Sequence, residues 1–361
     1  MSQGAEQPSW WDPYSNQPYR LSRQAKNRLA AGNLVEYLKI AATLLVASPR
    51  LLRRFAALRP APSDQPSSRF VGLGVSPEER HNDRIRDMVE ELGVEELLIR
   101  IPSWEVDRLD SYVEFAERFR GRRLLFNILQ CRDCVARPDY WRDALEAIFS
   151  RLKHLSRDFQ IGNAINRTKW GCAHSGEYLG LMETAERVRA GHPDIRLTGS
   201  SVIDFEPLAA LRTLCNRRRY HLDAVSALLY VNRRGSPRGR QYLFFDLERK
   251  LRLLRAMVDI GNRNDRRLWI TEVNWPLLDT KPYTPNSGHP SRTVDEATQA
   301  RYLSEYYRIA WQCGWVEKVY WWQLINPGYG LVDHRSGSLR KMPSYYAFKE
   351  LLEGALQQPS G

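Results

Sequence analysis

The sequence predicts an α/β fold, a (β/α)8 TIM barrel with an N-terminal helical extension, and three observations predict it. From Arg69 onward, short apolar runs alternate with amphipathic stretches, the pattern of parallel strands joined by helical crossovers. The alternation repeats eight times with no ninth, which suits a closed cylinder better than an open sheet. The chain has 361 residues, more than the roughly 250 that one barrel needs.

Taken in order, residues 1–33 are rich in Gln, Ser, Asn and Pro and read as a flexible arm. Residues 34–58 read as an amphipathic helix, because Leu34, Leu38, Ala41, Leu45 and Leu52 recur at helical spacing. Arg50, Arg53, Arg54 and Arg59 gather near its end. Its uncharged centre, residues 40–48, is far shorter than the roughly 20 residues of a spanning helix. Two placements stay open: packed on the barrel, or lying in the headgroup region of an anionic membrane. Residues 59–68, with three prolines and three serines, read as a linker. The barrel is expected over 69–355 and a tail over 356–361.

Strands are expected to begin near Arg69, Glu96, Arg123, Asp158, Arg196, Ala224, Arg267 and Lys318. Helices are expected over 78–92, 139–155, 177–190, 245–260 and 296–313. No Gly-rich fingerprint follows the first strand, which argues against dinucleotide binding, and no cofactor is expected.

The formal charge of +12 points to anionic partners. No zinc-finger, helix-turn-helix or RNA-recognition signature is present, which disfavours nucleic acid. Five cysteines, an odd number, and a polar, aromatic start without a basic-then-apolar leader suit a reducing cytoplasm. The membrane placement of the helix would put the protein at the inner face of the bilayer.

In a barrel of this kind, functional residues sit where strands hand over to loops at the C-terminal end. Those positions hold Arg100, Trp104 and Glu105 after the second strand, and Asn127 and Gln130 at the third. The fourth strand offers Asn163, Ala164 and Asn166, and Asp204 follows the fifth. Tyr230 and Asn232 end the sixth, Glu272 and Asn274 the seventh, and Trp321, Trp322 and Gln323 the eighth.

Two runs carry a resemblance. Trp269-Ile-Thr-Glu272-Val-Asn-Trp275 resembles the strand-seven nucleophile motif of the clan A glycoside hydrolases, whose families include five and thirty-nine. Phe159-Gln-Ile-Gly-Asn163-Ala164-Ile-Asn166 resembles their strand-four motif, in which Asn precedes the acid/base Glu. Tyr230 matches the strand-six Tyr that orients the nucleophile, and Arg100 the strand-two Arg that supports it. Trp321 or Trp322 matches the Trp that floors the sugar subsite. The likeness runs from Arg69 to Leu352. It implies a retaining site, with Glu272 as nucleophile and Asn163 bonding a sugar hydroxyl.

A retaining hydrolase attacks the anomeric carbon with one carboxylate while a second group, about 5–5.5 Å away, protonates the departing oxygen. At the second position this chain has Ala164, which cannot donate a proton. Three explanations compete. Glu105, Glu177 or His174 reaches in as acid; the leaving group, such as a phosphate, needs none; or the barrel binds a glycan without hydrolysing it. A carboxylate is also favourable at a helix start, which is the plainer reading of Glu177.

The rim is basic as well, with Arg132, Arg167, Lys169, Arg233, Arg234, Arg238 and Arg240 following strands three, four and six. Either these are solvated loop charges, or they hold an anionic or lipid-linked carbohydrate through guanidinium forks. Finally, Cys131, Cys134, Cys172 and His174 lie in the loops after strands three and four. They offer a zinc-type donor set, although reduced, unliganded thiols are the simpler reading. Two functions follow: a glycosidase or transglycosylase acting on an anionic glycan, or a pseudo-glycosidase binding a polysaccharide intermediate in envelope assembly.

Overall fold

The computed structural model describes residues 7–30, 33–78, 80–284 and 293–357. Eight strands form a closed parallel barrel: β1 (Val71–Val75), β2 (Glu96–Pro102), β3 (Arg123–Leu129), β4 (Asp158–Ile161), β5 (Arg196–Ile203), β6 (Ala224–Leu228), β7 (Leu268–Val273) and β8 (Lys318–Trp321). Each pairs with its sequence neighbours, and β8 returns to β1 through Val319 opposite Val71 and Trp321 opposite Leu73. All eight expected strands are present in the expected order, and the fold class is the one the alternation predicts.

The strands are buried on both faces, as apolar runs without strict alternation require. Inside the cylinder, Leu98, Leu125, Trp269, Tyr320 and Trp322 form a distinct core. Gly72 and Gly74 make room for it: a Cβ at either would collide with the ring of Tyr320 or Trp322. At the opposite end from the strand-to-helix loops, buried Glu96 accepts from Lys318 at 2.7 Å and from the Tyr320 hydroxyl at 3.2 Å. That network ties the base of β2 to the base of β8.

Outside, helices cover the cylinder. Asp246 caps Leu247–Ile260 by accepting from the Arg249 amide at 3.0 Å, and Asp295 caps Glu296–Cys313 by accepting from Thr298 at 2.6 Å. Pro138, Pro207 and Pro343 stand at the first turns of their helices. Leu109–Glu117 and Pro207–Leu214 are helices that periodicity did not single out, each being too short to repeat an apolar face.

The N-terminal segment corrects the expectation of a loose arm. Trp11–Asp12 pairs antiparallel with Gln17–Pro18, closing a hairpin whose turn is held by Ser15 donating to Asp12 at 2.6 Å. Asn16, at φ +50°, takes the left-handed corner that Asn tolerates. The hairpin is seated by Trp11, buried between Trp104 (5.1 Å) and Trp170 (5.8 Å). Arg23–Ala30 is helical as well. Residues 1–6, and 358–361 of the expected tail, lie outside the described residues.

Leu34–Ala57 is a helix packed between Pro207–Leu214 and Leu247–Ile260. Its inward face carries Glu36, Ala47 and Leu51, with Glu36 paired to Arg212 at 2.8 Å in a buried setting. Leu34, Leu38, Ala41, Leu45 and Leu52, the stripe that defined the helix in the sequence, all face away from the barrel. The segment expected as a linker runs along Glu296–Cys313, with the amides of Ala61 and Ser63 donating to Cys313 and Trp311.

Candidate active site

A cavity of about 620 Å³ opens at the C-terminal end of the strands. Glu272, the penultimate residue of β7, lies in its lining and is 7% exposed. One carboxylate oxygen accepts from Arg100 on β2, and the other accepts from the Tyr230 hydroxyl, just beyond β6, at 2.5 Å. Three strands therefore converge on one carboxylate. Burial and the neighbouring Glu272 carboxylate push the Tyr230 phenol well above its usual range, so it remains a donor.

Trp322, which follows β8, also lines the cavity, and the Arg100 guanidinium lies 3.6 Å from its ring centroid. Trp321 does not take part; it is fully buried and stacks on Trp275 at 6.0 Å. Asn274 donates to the Trp322 carbonyl at 2.8 Å, fixing the backbone behind that ring.

On the β4–β6 side the lining is charged. Asp204 accepts from Arg167 at 2.7 Å and from Arg234 at 2.9 Å. Burial works against its ionisation, but these two guanidinia prevail and hold its carboxyl below the usual range. Arg167 also donates to Glu206, and Arg234 lies 3.0 Å from the centroid of the Tyr230 ring. Arg233 and Asn232 complete this edge. Lys169 is desolvated and faces Arg20, which together lower its ammonium to about 8 in spite of the Glu272 charge.

The hairpin forms a wall that sequence reading missed. Arg100 donates to the Asn16 carbonyl at 3.2 Å, Lys169 to the Pro18 carbonyl at 3.1 Å and to Gln17, and Tyr329 to the Ser15 carbonyl at 3.0 Å. Ser15, Asn16 and Gln17 thereby join the lining. The density of Trp, Tyr and Asp in 10–14 was the available signal that this arm had something to bind.

Of the expected site residues, Arg100, Tyr230, Asn232, Arg233, Arg234, Glu272, Asn274 and Trp322 meet around the cavity. Others do not. Asn127 donates to Asn163 at 3.0 Å, Asn163 is clasped through its backbone by Gln130, and both are buried and outside the cavity lining. Ala164 is fully buried at φ +48° and contributes no polar group. Asn166 bridges the backbone of Ile203 from both ends of its amide. Trp104 belongs to the hairpin's aromatic seat, and Glu105 accepts from Tyr112 at 2.6 Å, outside the lining. Glu177 accepts from Arg132 and from the Ala173 amide at the start of Ser175–Arg189, outside the lining too.

The rim arginines are largely compensated: Arg132 by Glu177, Arg238 by Glu305, Arg167 and Arg234 by Asp204. Cys131 and Cys134 lie 3.5 Å apart, sulfur to sulfur, and Cys134 contacts the Ser103 hydroxyl. Among the described residues no group of three or more His, Cys, Asp or Glu is arranged to hold a metal ion, so Cys172 and His174 do not complete a zinc set.

The class that the fold defines is the closed parallel (β/α)8 barrel, here with an ion-paired carboxylate at its C-terminal mouth. By sequence, neither family models nor curated proteins give a match. By fold, the chain is similar to a family 39 glycoside hydrolase from Bacteroides cellulosilyticus WH2, at a TM-score of 0.59 and 16% identity, over 81% of this chain. The chain spans 65% of that protein's length. It is also similar to an α-L-arabinofuranosidase from Thermotoga maritima (TM-score 0.58, 15% identity, 81% of this chain and 72% of that one). A family 30 endoxylanase from Clostridium papyrosolvens C71 follows (TM-score 0.55, 12% identity, 81% and 73%). These structural neighbours are clan A glycoside hydrolases, and at such identities the likeness is one of fold.

Proposed function

We propose that the cavity is a retaining-type glycosidase site for an anionic glycan, with Glu272 as nucleophile and with no acid/base carboxyl at the strand-four position. The observation that carries this reading is the Glu272 carboxylate, buried at the strand ends and held from two sides by Arg100 and Tyr230. A carboxylate so fixed is oriented for attack and costs little reorganisation. The anionic preference rests on the lining, where Arg100, Arg167, Lys169, Arg233 and Arg234 outnumber Asp204, Glu206 and Glu272.

In this reading a Glu272 oxygen forms the bond to the anomeric carbon as the bond to the departing oxygen breaks. That oxygen leaves without a proton from residue 164, so the leaving group must be stable as an anion. A sugar phosphate fits that demand. The second step then lacks a base to activate water, and the glycosyl-enzyme is long-lived.

A second reading is favoured by Ala164 itself: a pseudo-glycosidase that binds a polysaccharide intermediate without turnover. Dinitrophenyl glycosides of neutral and acidic sugars, which carry their own leaving group, separate the two. The first reading expects slow turnover that added azide accelerates, since azide needs no base, and loss of both in Glu272→Gln. Tight binding of an acidic glycan with no turnover, with or without azide, would select the binder.

A further inference from the structure

The Leu34–Ala57 helix turns the wrong face inward for a helix that serves only the barrel. Its barrel-facing side holds an ion pair, Glu36 with Arg212, the small Ala47 and one large aliphatic side chain, Leu51. The outer side presents Leu34, Leu38, Leu44, Leu45, Val46 and Leu52, with Leu34 at 71% exposure and Leu45 at 78%. A ridge of large aliphatic side chains about 27 Å long, the rise of the helix from Leu34 to Leu52, faces outward. Exposed patches of that extent mark an interaction surface.

The charge around it is one-sided. From Arg20 to Arg59 the only acidic residue is Glu36, which is buried, whereas Arg23, Lys26 and Arg28 are exposed on the preceding helix. Lys39, Arg50 and Arg53 are exposed on this one. A second copy of the same face would set like charges against each other. A bilayer with anionic headgroups accepts both parts, the aliphatic ridge at the acyl boundary and the basic residues among the phosphates. Among the described residues no single helix is long and apolar enough to cross a membrane, and an in-plane helix does not need to be.

We propose that the outer face of Leu34–Ala57 docks the protein on the surface of an anionic membrane. This inference is independent of the glycosidase reading, because none of these residues lines the cavity.

The test is co-sedimentation of the full chain with vesicles of phosphatidylcholine alone or mixed with phosphatidylglycerol. The wild type is expected to pellet with the mixed vesicles and at least about tenfold more weakly with the neutral ones. Leu38→Glu and Leu45→Glu, both on the exposed face, should each weaken binding about tenfold. A matched thermal melt confirms that each variant is folded. The proposal is overturned if the wild type ignores the mixed vesicles, or if the leucine variants bind them as the wild type does. It is overturned too if the wild type instead forms a dimer that the same substitutions dissociate in sedimentation velocity. Reaction with dinitrophenyl glycosides should be the same in these variants, so this failure and failure of the catalytic reading are told apart.

Discussion

The guanidinium carbon of Arg100 lies 3.6 Å from the centroid of the Trp322 ring. The same guanidinium donates to Glu272, so one cation is shared between the ring and the carboxylate. Arg100 and Glu272 are both nearly excluded from solvent, at 8% and 10% side-chain exposure. Removing one partner of such a pair strands the other charge. Arg100→Met should therefore destabilise the fold by about 3–5 kcal/mol, read from the midpoint shift in urea.

Tyr230 acts on the same carboxylate through a single bond. A hydrogen bond to a charged group contributes about 1.5–3 kcal/mol. Tyr230→Phe is expected to slow formation of the glycosyl-enzyme about ten- to a hundredfold, while ligand affinity changes little. Stopped-flow release of dinitrophenolate checks the rate, and calorimetry checks the affinity.

Lys169 gives the site a pH dependence. Its ammonium is lowered to about 8 in the folded protein, so above that pH the cavity loses a cation. Affinity for an acidic glycan should fall as pH rises through about 8, and Lys169→Arg should abolish that limb. Stability runs the other way. Between the folded value and the ordinary 10.5 the unfolded chain holds the extra proton, so this residue's contribution rises with pH across that window. Isothermal titration on either side of that pH, with a neutral glycan as control, separates the charge effect from general loss of structure.

The hairpin should come away before the barrel unfolds. Trp11 is its main anchor, and truncating a buried Trp costs about 3–5 kcal/mol. Trp11→Ala is expected to raise the rate of tryptic cleavage at Arg20 and Arg23 with little change in the global melting temperature. A melt that drops in parallel would mean that the hairpin and barrel are one cooperative unit.

The barrel was legible because eight buried parallel strands each need a continuous apolar run, and such runs stand out against amphipathic crossovers. Strand ends follow from strand positions, which is why Arg100, Tyr230, Glu272 and Trp322 could be read as neighbours. The hairpin could not be read this way, since the bond from Arg100 to Asn16 spans 84 residues and leaves no local periodicity. The Leu34–Ala57 helix shows a different limit. A 3.6-residue repeat finds an apolar face but says nothing of which way it points, and here it points out. Ala164 stood out in the sequence only as a departure from the strand-four motif it resembles, whereas the partnering of Asp204 and Glu206 by Arg167 depends on loops whose paths only the fold defines.

The account turns on whether the residue 272 carboxylate is a nucleophile. Incubation with a panel of neutral and acidic fluoro-sugars bearing fluoride leaving groups, followed by intact-mass and peptide mapping, asks this directly. A single stable adduct on Glu272, absent from Glu272→Gln, is the predicted result. No adduct from any sugar of the panel, or one on another side chain, would contradict it.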